Sequence, residues 1–112
     1  MAAGKHNFTL EQGATFDREI TVQDNSLALN LTGYSSRMQM RSTHDSSSIA
    51  LTVTATIASP ASQGKINLTA SASATAAVEE GIYVYDLEIE SSAGSVTRIL
   101  EGQITVTPEV TR

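Results

Sequence analysis

The stretch "EEGIYVYDLEIESSAG" (Glu79–Gly94) decides how this chain folds. Gly81 and Gly94 bracket it, and between them Tyr83, Tyr85, Leu87 and Ile89 alternate with Val84, Asp86, Glu88 and Glu90. Period-two alternation puts the first set on a core face and the carboxylates on a wet one. The order Glu79-x-Gly81-x-Tyr83-x-Tyr85 has the spacing of the tyrosine corner of an immunoglobulin-type sandwich. On that reading Gly81 permits the tight turn into the strand, and the Tyr83 ring enters the core while its hydroxyl bonds to nearby backbone. Tyr85 then stands where antibody domains carry cysteine. The competing reading, a tyrosine–carboxylate active site, accounts only for these residue types being neighbours in sequence.

Working outward, the same period recurs. "IALTVTATI" sets Leu51, Val53, Ala55 and Ile57 against Thr52, Thr54 and Thr56, and "KINLT" sets Ile66 and Leu68 inward. In "TFDREITVQ", Phe16, Ile20 and Val22 share a face that Arg18 interrupts, as on an edge strand. Leu27, Leu29 and Leu31 alternate after a turn at Asp24–Ser26, Met38 and Met40 face inward as core fillers, and Val96, Leu100, Ile104 and Val106 form the inward set of the last strand. Pro108 ends that strand because it has no N–H for the ladder. Gly102, inside it, marks a bulge or a close neighbour. "ASASATAAVEE" breaks the alternation and reads as one or two helical turns over about 71–80, with Ser71 as N-cap and Gly81 as the stop. About seven short strands with turns every ten residues or so predict an all-β, immunoglobulin-like β-sandwich over residues 8–112. Residues 1–7 read as a flexible N-terminal arm.

Composition narrows the function. The net charge is −5 with the seven basic residues dispersed, which argues against general nucleic-acid binding. The absence of cysteine excludes disulfides, thiol catalysis and cysteine-type zinc sites, and fits assembly in a bacterial cytoplasm. No apolar run is long enough for a signal peptide core or a membrane span. His44 stands beside Asp45 and three serines, but neighbours within one loop do not converge as a hydrolase triad, and no nucleophile elbow is present. Asp86, Glu88 and Glu90 form one line of carboxylates, whereas calcium takes six to eight oxygens from several directions. Accordingly no catalytic, cofactor-binding or metal-ligating residue is assigned, and the chain is expected not to be an enzyme. Gly81, Tyr83 and Tyr85 are the structural corner. Lys5, His6, Asn7 and Phe8 are the candidate partner-contact arm.

Several segments in order resemble the N-terminal immunoglobulin-like domain of siphophage baseplate upper proteins, and short single-domain virion proteins of marine tailed phages. "LNLTGY" (Leu29–Tyr34) is similar to the family's "DLTG" signature, with Asn30 in place of the acid. "GIYVYDLEI" resembles its Gly-x-Tyr strand after a short helical turn, and "EGQITVTPEVTR" its closing strand. The resemblance covers about residues 8–112. It implies a non-enzymatic virion structural protein, assembled in the host cytoplasm, whose partners are other virion proteins: major capsid, neck or tail proteins, or further copies of itself, such as a trimer. The family's own chains continue into a receptor-binding region, which favours for this chain a docking module on the capsid exterior or neck, a decoration or connector protein. The alternatives are a tail or baseplate adaptor that anchors receptor-binding proteins, and a carbohydrate- or receptor-binding sandwich. The last needs exposed aromatics, and open positions for both Tyr34 and Tyr83 would favour it.

Overall fold

The computed structural model describes residues 3–24 and 26–111. Its strands are β1 (Gly4–Lys5), β2 (Phe8–Glu11), β3 (Phe16–Thr21), β4 (Gln23–Asp24), β5 (Leu27–Ala28), β6 (Ser35–Arg41), β7 (Leu51–Ile57), β8 (Lys65–Ala70), β9 (Gly81–Glu90) and β10 (Val96–Thr107). One helical turn, α1 (Ala72–Ala76), joins β8 to β9, and a 3-10 turn covers Ala61–Gln63. The order across the main sheet is β1-β10-β9-β6-β7-β8-β3, with β2 following β1 along β10 and β4–β5 a separate rung pair. The first half of β7 pairs with β6 and its second half with β8. That switch curls the sheet into two layers, β1/β2-β10-β9-β6-β7 over β7-β8-β3, so the fold is the all-β sandwich expected from the alternation, with ten strands among the described residues where about seven were expected.

The core lies between the layers. Met38, Met40, Val53, Ile66, Leu68, Leu87 and Ile104 are all at most 1% exposed. Tyr85, Leu87 and Ile89 are buried along β9, while Asp86, Glu88 and Glu90 stay on the outer face. Thr52, Thr54 and Thr56 face solvent, as the alternation requires. Ser71 caps α1, accepting the Ala74 N–H at 3.2 Å. Arg18 does lie on an edge strand, since β3 is hydrogen-bonded to β8 alone.

Four expectations are corrected. Leu27, Leu29 and Leu31 do not form a half-buried strand: Leu27 is exposed, and only Leu27–Ala28 pair, with β4. The segment is held instead by single bonds, Leu29 N–H to the Val22 carbonyl and Leu31 N–H to that of Ala61, so only Leu31 reaches full burial. In β10 the register shifts between Arg98 and Leu100. The extra residue, Ile99, turns into the core, Leu100 is half-buried and Val96 faces solvent. Gly81 does not stop α1, which ends at Ala76 with Ala77 as its C-cap; Gly81 is the first residue of β9, with φ +149°. Residues 4–7 are not a free arm, as the next subsection details; Met1 and Ala2 lie outside the described residues.

Asn30, where the resembled signature has an acid, makes the turn contact itself. Its side-chain oxygen accepts the Thr32 N–H at 3.0 Å and the Thr32 hydroxyl at 2.6 Å.

Candidate functional site

The corner is present. The Tyr83 hydroxyl donates to the Glu79 carbonyl at 2.8 Å, closing a loop of four residues ahead of β9. Its ring is half-buried against the core. Because the Glu79 carbonyl is open to water, losing the bond costs about 1 kcal/mol. Tyr83→Phe is therefore expected to lower the unfolding free energy by about that amount in urea titrations, with an unchanged m-value. An unaltered midpoint would mean that the bond holds nothing in place.

Tyr85 has a different task. Its ring is buried, and its hydroxyl donates to the His6 carbonyl at 2.6 Å. The bond belongs to a kink in the N-terminal segment. β1 and β2 run parallel to β10 with one continuous offset, Gly4 against Leu100 and Phe8 against Ile104, yet His6 and Asn7 drop out of the ladder. The His6 carbonyl turns inward over Gly102, where a side-chain β-carbon would overlap it. Tyr85 satisfies the carbonyl that left the ladder. The Asn7 side-chain oxygen takes its place at the sheet edge, accepting the Gln103 N–H at 3.0 Å, while the His6 N–H bonds to the Glu101 carbonyl at 3.0 Å. Gly102 thus has a close neighbour. Burial pushes the Tyr85 phenol well above its ordinary pKa, and the Glu101 carboxylate adds to that shift. The group remains a protonated donor, as its bond to a carbonyl demands.

Of the four arm residues, Phe8 is core. Its ring meets those of His6, Phe16 and Tyr85 at centroid distances of 4.6, 5.8 and 5.4 Å. His6 and Asn7 are tied down by their backbone or side-chain bonds, and Lys5 is exposed. The sequence reading missed two further anchors. Thr75, fully buried, donates to the Ala14 carbonyl at 2.8 Å and accepts the Gly13 N–H at 3.1 Å, fastening α1 to the β2–β3 loop. Gln12 bridges Val78 and Glu109. The only hint of the first was a threonine among alanines; the second left no local signal.

The carboxylates of β9 are paired across the outer face. Arg37 reaches Glu88 at 3.0 Å and Glu90 at 2.8 Å; Arg98 reaches Asp86 at 3.3 Å and Glu101 at 3.4 Å. These groups are substantially exposed, so the pairs add little to stability. Partial burial, then the charge of Glu88, raises the Asp86 pKa; Arg98 opposes the shift. His44 borders this face in a depression of about 230 Å³ that it shares with Gln39, Arg41, Asp86 and Arg98. Among the described residues, no three of His, Cys, Asp or Glu are grouped to hold a metal ion. Among the described residues, no helix is long and apolar enough to cross a membrane.

A concavity of about 680 Å³ lies where the two layers part. Gly4, Lys5 and His6 border it on one side and Arg18 to Gln23 on the other, with Ile99 and Leu100 between. Both flanking strands are sheet edges. Tyr34 and Tyr83 are half-buried on the core and line none of this groove.

No family model matches this chain, and no curated protein matches it. Among solved structures, the crystal structure of CopC from Methylosinus trichosporium OB3b matches with a TM-score of 0.47 at 12% identity, over 94% of this chain and 89% of that one.

Proposed function

We propose that this chain is a non-enzymatic structural protein of a tailed-bacteriophage particle, a module that docks on the capsid exterior or neck through protein–protein contacts. The observation that supports it best is the nature of what the sandwich leaves open: two strand edges beside a wide groove, and single exposed apolar side chains such as Leu27 and Ile82. Backbone edges and apolar contacts serve docking. The polar side chains that might suggest chemistry are engaged structurally: Tyr83 and Tyr85 in carbonyl bonds, Asp86, Glu88 and Glu90 in ion pairs. The resemblance of "LNLTGY", "GIYVYDLEI" and the closing strand to phage modules supplies the setting. An acidic protein suits the outside of a particle better than a position against packaged DNA. Repetition of weak contacts by the particle's symmetry supplies avidity.

A tail or baseplate adaptor is the second reading, favoured by the same motifs. The sugar-binding reading loses support, because Tyr34 and Tyr83 pack on the core instead of lying open. Quantitative mass spectrometry of purified particles tests the proposal. The expected result is this chain at a fixed ratio to the major capsid protein. Its absence from particles, with the chain present in infected cells, would overturn it.

A further inference from the structure

We infer that the groove between β1 and β3 takes one extended segment of another protein of the particle, a segment carrying a carboxylate between apolar side chains; the source of that segment rests on the docking reading above. The backbone specifies the conformation. Among the described residues β1 is bonded only to β10, and β3 only to β8, so each turns an edge without a strand partner toward the groove. The Val22 N–H bonds to the Gly64 carbonyl on the β8 side. By antiparallel alternation, the N–H and C=O groups of Asp17, Glu19 and Thr21 then point away from β8, to the open edge, where the Arg18 guanidinium donates to the Asp17 carbonyl at 2.9 Å and the groups of Glu19 and Thr21 are left for a partner. A row of outward amides and carbonyls is matched by an extended backbone, which adds itself as a strand. Between the edges, half-buried Ile20 and Leu100 and buried Ile99 offer apolar contacts for alternate side chains.

Charge specifies the chemistry. The chain carries −5 overall, yet the groove has Lys5 and Arg18 against the single carboxylate of Glu19. Arg37 and Arg98 each sit in two ion pairs; Lys5 and Arg18 are in none among the described residues. Arg18 shares the face of Phe16 and Ile20 on β3 and is exposed there, at the mouth of the groove, its guanidinium 5.0 Å from the centre of the Phe16 ring. A charge on an edge strand deters pairing with an apolar strand. A carboxylate in register turns that deterrent into selectivity, because the right partner removes the penalty that every neutral one incurs.

The test is an amide-resolved NMR titration of the isolated chain with a blocked heptapeptide of alternating valine and glutamate, alongside a twin with lysine in place of glutamate. The amides of Asp17, Glu19 and Thr21 and of Lys5 should shift and gain exchange protection. The glutamate peptide should bind roughly tenfold more tightly than its twin, the effect of one well-placed charge pair. Arg18→Glu, with its fold checked by unfolding, should reverse that order. No shift at these amides at about 1 mM peptide, where even a binding free energy near −4 kcal/mol registers, would overturn the inference. Equal shifts with both peptides would do the same, as would concentration-dependent shifts of these amides without peptide, which would assign the groove to a second copy. The titration uses the isolated chain and the copy-number measurement uses particles, so the groove and the particle assignment can fail separately.

Discussion

Gly64→Ala is expected to destabilise the protein by about 3 kcal/mol or more, lowering Tm by roughly 10 °C or beyond. Two costs combine. Gly64 has φ +70°, a left-handed conformation that costs an L-residue about 1–2 kcal/mol. A β-carbon there would also lie 2.7 Å from the Val22 carbonyl oxygen and 2.8 Å from that of Leu29, and neither backbone can move away freely. Val22 is itself bonded to Gly64 at 2.7 Å, and Leu29 to Val22 at 2.9 Å, so the crowding falls on the junction that holds β3, β8 and the Leu29–Leu31 segment together. Overpacking at such a point costs about 1–3 kcal/mol more. Thermal unfolding followed by circular dichroism measures it. A Tm within 2 °C of the parent, taking the usual ~4 °C or more per kcal/mol for a small domain, would mean that this junction is not built as described.

Gly102→Val is expected to cost about 2–3 kcal/mol and to act locally. The side chain would occupy the space of the His6 carbonyl, lifting the segment Gly4–Asn7 off β10. Three hydrogen bonds go with it: Tyr85 hydroxyl to His6, His6 N–H to Glu101, and Gln103 N–H to Asn7. The Tyr85 hydroxyl, half a core group, is left needing water. In hydrogen exchange the His6 amide should lose its protection while Leu87 and Leu68 keep theirs. Thr105→Val, an exposed change on the same strand, should stay within about 0.5 kcal/mol. Retained protection at His6 in the Gly102 variant would contradict the kinked docking of the N-terminal segment.

What the sequence disclosed and what it hid divide along a physical line. The faces of β7, β8 and β9 were legible because period-two alternation is local and both outcomes, buried and wet, are written in adjacent residues. Ser71 and Tyr83 were legible for a related reason: an N-cap and a tyrosine corner each close within three or four residues. Pairings across the length of the chain left much weaker marks. Gly4–Asn7 looked like loose chain, and no strand was read in Phe8–Glu11, because nothing near them tells of β10, nearly a hundred residues later; Gly102 was the one trace, and it named no partner. The Ile99 bulge reversed the parity of part of β10, which alternation counted from Ile104 backwards cannot detect. Leu27 kept the strand period while facing solvent, since the two-residue rung with β4 is too short to bury anything. The groove was invisible for the same reason as the arm: it is made by two edges, β1 and β3, that meet only when both layers are in place. Arg18, by contrast, was already anomalous in sequence as a charge on an apolar face, and in the proposed docking it is the residue that selects what the open edge accepts.

The most direct measurement for the whole account is a cryo-EM reconstruction of the purified particle at side-chain detail. The account predicts this sandwich at fixed, symmetry-related positions outside the packaged DNA, with the edge of β3 joined by an extended segment of a neighbouring protein and a carboxylate of that segment beside Arg18. A particle in which no density fits this chain, or one in which the chain is held by a different face with β3 open to solvent, would contradict it.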